Sequence, residues 1–117
     1  MSVGSIGEDA ACKFLTRAGY VIIERNHWQP WGEIDVVVRA PDGTLVFVEV
    51  KTMTESSASD IMPEDNVTPA KLRKMRKAAL SYAAARQDLV REGRGWRIDV
   101  LAVVLGGQEA IRHYENI

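Results

Sequence analysis

Residues 33–52 restrict the fold more than any other part of the chain. Residues 33–39 alternate, with Ile34, Val36 and Val38 on one side and Glu33, Asp35, Val37 and Arg39 on the other. Residues 44–52 alternate too, Val46, Val48 and Val50 against Leu45, Phe47, Glu49 and Lys51. A period of two belongs to strands. Between them stands Ala40-Pro41-Asp42-Gly43-Thr44. Proline presets the first central position of a type I turn, and glycine accepts the left-handed residue that follows. That is the pattern of a three-residue hairpin loop closed by a glycine bulge. The loop sets the register. Arg39 faces Leu45, which places Asp35 opposite Glu49 and Glu33 opposite Lys51. A two-residue Asp42-Gly43 loop would slip the strands by one and break both pairs.

Other elements follow from local signals. Ser5-Ile6-Gly7-Glu8 fits a capping box, and Ile6, Ala10, Phe14, Leu15 and Ala18 recur at helical spacing up to Gly19. A helix is expected over residues 6–18. The β-branched run 20–25 reads as a strand, and His27-Trp28-Gln29-Pro30-Trp31-Gly32 as a loop. Residues 53–66 are polar and read as a mobile loop. Thr68 is an N-cap with Pro69 behind it, opening a helix to about residue 90 that buries Leu72, Met75, Ala79 and Tyr82. Residues 91–95 turn, 96–105 form a strand buried in its later part, and 110–114 form a last short strand. The order α-β-β-β-α-β-β predicts an α/β fold with a mixed central sheet flanked by helices.

The 117 residues make one domain, expected to span 1–117, and the apolar fraction of 46% supplies an ordinary core. The lone Cys12 excludes an internal disulfide and fits a reducing compartment. The first residues have no basic start and no apolar run, so no signal peptide is expected. The longest apolar run, residues 100–105, is too short to span a bilayer. A cytoplasmic protein without a membrane partner is the expectation. The net charge of −1 hides a division. Acids dominate up to Asn66, whereas Lys71, Arg73, Lys74, Arg76 and Lys77 crowd together afterwards. That cluster is either the solvated face of a helix or a patch that steers a polyanion.

The register places two carboxylates face to face, which destabilises a sheet and raises the pKa of one of the pair. A positive group between them removes the conflict. Lys51 offers part of that charge, with Glu33 pairing to its ammonium, and a hard divalent ion offers more. Mg²⁺ needs only one or two protein carboxylates because it keeps several waters. Asp35 and Glu49 are therefore candidate ligands for Mg²⁺ or Mn²⁺, and Lys51 a candidate for positioning water or phosphate. A solvated strand face with a Glu33–Lys51 surface pair is the competing reading.

Gly7-Glu8, Gly19-Tyr20, Asn26, Gly32-Glu33-Ile34-Asp35 and Phe47-Val48-Glu49-Val50-Lys51-Thr52, followed by Lys71 and Arg97-Ile98-Asp99-Val100, resemble the YraN family of bacterial proteins. That family resembles the PD-(D/E)xK nucleases, especially archaeal Holliday-junction resolvases. The resemblance implies a restriction-endonuclease-like sheet and a metal-dependent endonuclease acting on DNA. It assigns catalytic roles to Glu8, Asp35, Glu49 and Lys51, and by analogy with resolvases it implies a homodimer. Lys71, Arg73 and Lys74 become candidate phosphate contacts. Two positions depart from the family pattern: Trp28 and Met53 stand where arginines are usual, which weakens the case for tight DNA binding. A catalytically inactive scaffold that binds DNA or a DNA-processing partner is the alternative.

The remaining residues carry plainer expectations. Glu8, read without the resemblance, is the capping-box glutamate. Trp28 and Trp31 either stack on bases or pack under their own loop. His27 and His113 are isolated and form no metal-ligand spacing, Cys12 reads as a small buried apolar residue, and Arg97 and Asp99 read as a structural ion pair.

Overall fold

A computed structural model describes residues 3–30, 32–54, 67–91, 93–106 and 110–117. Its elements are helix α1 (Val3–Arg17), strands β1 (Val21–Gln29), β2 (Gly32–Arg39) and β3 (Leu45–Thr54), helix α2 (Pro69–Ala85), a 3₁₀ turn (Gln87–Leu89), and strands β4 (Trp96–Leu105) and β5 (Ala110–Tyr114). The five-stranded sheet has the order β1-β2-β3-β4-β5. β1, β2 and β3 form an antiparallel meander, β4 runs parallel to β3 after the crossover through α2, and β5 returns antiparallel. The mixed sheet and the predicted element order are both present. Among the described residues no helix is long and apolar enough to cross a membrane.

The helices cover opposite faces. Ala11 and Leu15 of α1 pack with Val36, Val38, Val46, Val48, Leu101 and Val103. Ala78, Ala79, Tyr82 and Ala83 of α2 pack with Ile34, Val37, Leu45, Phe47 and Ile98. The alternation in β3 therefore feeds two cores, one per face.

The hairpin forms as its loop chemistry dictates. Gly43 has φ 93, the Thr44 N–H donates to Asp42 Oδ1 at 3.0 Å, and the Ala40 N–H donates to the Thr44 carbonyl at 2.8 Å. Arg39 pairs with Leu45, and the ladder continues to Val36–Val48. There it stops, so neither Asp35 and Glu49 nor Glu33 and Lys51 are ladder partners.

Several boundaries differ from expectation. Helix α1 starts at Val3, which puts Ser5 inside the first turn and rules out the capping box. Its end is as expected. Gly19, at φ 92, lets the Tyr20 N–H reach the Leu15 carbonyl at 2.9 Å and its own N–H reach that of Thr16 at 3.1 Å. Strand β1 runs on through His27, Trp28 and Gln29, which the nearby Pro30 and Gly32 mark as loop. Asn26 makes this possible. It takes a left-handed φ of 53, which asparagine tolerates better than most residues, and pairing resumes at His27–Ile34, Trp28–Glu33 and Gln29–Gly32. Strand β3 includes Met53, which is buried, and Thr54. The rest of the expected loop, residues 55–66, lies outside the described residues. Helix α2 has the Thr68 cap, whose Oγ1 accepts the Lys71 N–H at 3.1 Å. It ends at Ala85 rather than near residue 90, because Arg86 leaves helical geometry. The 3₁₀ turn that follows folds Leu89 into the core under α2.

Helix α1 lies close against the sheet at Gly7. A Cβ there would collide with Thr52 Oγ1. In an unconstrained helix alanine is favoured over glycine by about 1 kcal/mol. Here Gly7→Ala is expected to destabilise by about 1–3 kcal/mol through overpacking, and Thr52→Ala in the same chain should recover most of the loss. Urea unfolding of the single and double variants checks this. A Gly7→Ala protein as stable as wild type would refute the close contact.

Candidate metal and phosphate site

The strands part where the carboxylates stand. Beyond Val36–Val48 the place of the next ladder bond is taken by a side chain, since the Val50 N–H donates to Asp35 Oδ2 at 2.9 Å. The face also changes here. Ile34 joins Val37 beneath α2, whereas Val36 and Val38 lie beneath α1. The expectation that Ile34, Val36 and Val38 share one side therefore fails at Ile34. Strand β1 shows the matching change across Asn26: Arg25 reaches Asp9 of α1 at 2.9 Å, while His27 meets the ring of Tyr82 in α2 edge-on at 4.8 Å. The left-handed Asn26 thus twists the β1–β2 ribbon and sets Asp35 in the seam of the sheet.

Four acidic side chains gather at this seam. One oxygen each from Glu8, Glu33 and Asp35 lies within 4.8 Å of the others. Glu49 stands against Asp35 and raises its pKa. Glu8 is in the second turn of α1 and points into this group, which the capping-box reading had not allowed. Asn26 holds the cluster together. With its amide nitrogen turned toward the carboxylates it donates to Glu8 Oε1 at 2.8 Å and Glu33 Oε1 at 2.6 Å. Asn26 was not among the candidate site residues. The signal for it was an asparagine interrupting a β-branched strand, a residue type suited to positive φ.

Electrostatics follows from this crowding. Burial, then the charge of Glu49, pushes Asp35 up to about 7 against the opposing Val50 N–H. Burial also raises Glu8, and Glu33 adds to the effect while Arg25 opposes it. A group of partly buried carboxylates in that state attracts a cation. The donors are all carboxylate oxygens, the class that suits Mg²⁺ and Mn²⁺, so the residues fit such an ion.

The cluster opens into a cleft of about 310 Å³. Glu33, Asp35 and Glu49 line one wall, Lys71, Lys74 and Met75 of α2 the other, with Phe47 and Ile98 below. Lys71 Nζ reaches Glu49 Oε1 at 2.8 Å. The basic run of α2 is therefore divided: Lys71 and Lys74 face the cleft, whereas Arg73 is exposed outside its lining. Lys51 is half-buried on β3, two residues past Glu49.

Other singled-out residues lie elsewhere. His27 Nδ1 is 3.0 Å from Glu24 Oε2. Trp28 is 73% exposed on β1 and does not pack under a loop; Trp31 lies outside the described residues. Cys12 is only half-buried against the core. Arg97 and Asp99 do form an ion pair, at 3.0 Å, but His113 is not isolated, because its Nε2 lies 2.8 Å from Asp99 Oδ2.

Comparison with known proteins gives a consistent match. The model of "Uncharacterised protein family UPF0102" matches residues 7–103. A UPF0102 protein of Pelobacter propionicus is 42% identical, with 98% of this chain and 81% of the relative covered. One from Moorella thermoacetica is 40% identical, with 97% and 90% covered, and one from Corynebacterium efficiens is 36% identical, with 98% and 90% covered. The matched segment contains Glu8, Asp35, Glu49, Lys51 and Lys71.

Proposed function

The chain belongs to the UPF0102 family, and for this member we propose a metal-dependent phosphodiester hydrolase of the PD-(D/E)xK kind, acting on DNA. One observation carries the proposal: at a break in the sheet Asp35 and Glu49 line a cleft whose opposite wall is lined by Lys71 and Lys74, and Glu8 joins Asp35 beside it. Asp35 and Glu49 would hold Mg²⁺ or Mn²⁺, with Glu8 as an outer ligand or an acceptor that orients water. When bound, the ion supplies polarisation of a phosphoryl oxygen and acidification of water. Asn26 fixes Glu8 and Glu33 so that the carboxylates stay oriented without rearrangement. Lys51 positions water or stabilises charge on the phosphate. Lys71 holds Glu49 until a phosphate draws the ammonium away.

That same ion pair supports a second reading. A lysine that already neutralises Glu49 at 2.8 Å suits a scaffold that binds DNA without cutting it. Cleavage of branched, flap and single-stranded DNA in Mg²⁺ or Mn²⁺, with calorimetric metal titration alongside, separates the two. In the catalytic case the wild type cuts, Lys51→Ala loses cutting by about a hundredfold or more while still binding metal, and Glu49→Gln loses both. DNA binding without cutting under every metal condition would leave only the scaffold.

A further inference from the structure

We infer that Trp28 is a stacking platform for an unpaired nucleobase, so that the substrate is nucleic acid with single-stranded character next to the scissile phosphate. The inference rests on the proposed function of the cleft and names the substrate class for it.

Trp28 is the most exposed large apolar side chain among the described residues, at 73%. An indole left in water on a strand forgoes stability that packing would supply, and none of the described residues covers it. Its position is the informative part. Register places Trp28 directly opposite Glu33, a member of the carboxylate cluster, and paired residues bring their Cβ atoms to about 5 Å. Trp28 also lines a groove with Glu24, Pro30, Ser81, Tyr82 and Ala85. That groove follows α2 onward from the cleft that Lys71, Lys74 and Ala78 line. A strand whose phosphate lies at the carboxylates and lysines would therefore run toward Trp28, the ladder partner of Glu33.

Charge supports stacking over duplex tracking. The chain has net charge −1 and pI about 6.1. Duplex affinity comes largely from counterion release by many cations, and this chain concentrates few at the cleft. Base stacking on an aromatic ring adds affinity without charge; bases within a duplex have both faces covered by their neighbours, whereas an unpaired base can turn its face to the ring.

The test is equilibrium binding of a fluorescent single-stranded oligonucleotide and of a fully paired duplex of the same sequence, in chelator and without metal, so that no cleavage intervenes. Wild type should prefer the single strand. Trp28→Ala should weaken single-strand binding about tenfold, leave duplex binding and the salt slope unchanged, and leave metal affinity unchanged. Trp28→Phe should retain most of the affinity. Equal binding by wild type and Trp28→Ala, no single-strand preference in wild type, or a loss that appears as a changed salt slope would each overturn the inference. Because the assay omits metal, these results are independent of whether the carboxylates bind an ion.

Discussion

Asp35→Asn is expected to lose metal-dependent hydrolysis by on the order of a thousandfold, and yet to be more stable than wild type at pH 8 when both are metal-free. The second half follows from linkage. Burial, then the charge of Glu49, holds Asp35 at about 7, against roughly 3.9 in an unfolded chain. Between those values the native state keeps a proton that the unfolded state releases. The contribution of this group to stability is therefore complete below about pH 4 and is lost as pH rises through 7. Asparagine does not titrate, and its side-chain oxygen can still accept the Val50 N–H that Asp35 receives at 2.9 Å. The stability gap should open between pH 4 and 7 and reach on the order of 2 kcal/mol, discounted from the full linkage because the cleft is open to solvent. Metal reverses the order. Binding must displace the proton, so wild-type affinity for Mn²⁺ should climb by up to about tenfold per pH unit below 7 and level off above it. Saturating Mn²⁺ should raise the wild-type melting temperature at pH 8 and leave Asp35→Asn unmoved. Denaturant melts across pH, with and without metal, decide the matter. A gap that does not vary with pH would show that Asp35 is an ordinary solvated carboxylate.

How far the sequence reached can be judged at this same residue. The loop Pro41-Asp42-Gly43 is local chemistry, so it was sufficient to place Arg39 against Leu45 and to bring Asp35 beside Glu49. Where the ladder ends is not local. It depends on Asn26, far along the neighbouring strand, adopting φ 53 and on the twist that follows. A strict two-residue period therefore put Ile34 on the wrong side and paired Glu33 with Lys51. The lysine that reaches Glu49 is Lys71, brought in by a crossover that no pattern within β3 could announce. Glu8 shows the same limit. Its spacing from Ser5 satisfies a capping motif, and only the true start of α1 at Val3 frees it for the cluster. His113 looked isolated because its partner, Asp99, is contributed by the adjacent strand β4.

Asp99→Ala is expected to cost about 3–5 kcal/mol, a fall of roughly 10–20 °C in melting temperature for a chain of this size. Asp99 is completely buried. Its carboxylate accepts from Arg97 Nε at 3.0 Å, bonds His113 Nε2 at 2.8 Å and accepts the Asn116 N–H at 2.9 Å. Arg97 in turn donates to the Tyr20 hydroxyl at 2.9 Å, tying β4 to the chain just after α1. Truncation leaves a largely buried guanidinium with only the exposed Glu115, at 3.9 Å, as counter-charge and removes one tie to the C-terminal segment, so the loss exceeds that of a surface pair. Asp99→Asn keeps an acceptor oxygen and should cost less. The pH dependence has the opposite sign to that of Asp35. Burial alone would raise the Asp99 pKa, but the bonds from His113, Arg97 and Asn116 prevail and hold it below the usual carboxylate value. Its contribution is present above the unfolded value near 3.9 and is lost as pH falls through the depressed one. The gap between wild type and Asp99→Ala should therefore be full at neutral pH and close in acid. None of its bonding partners belongs to the carboxylate cluster, so at temperatures where the variant stays folded its Mn²⁺ affinity should match wild type. A variant that melts normally would show that the network is dispensable. One that melts early and also loses metal would show that β4 supports the seam through Asp99, and the fold and the site could not then be altered separately.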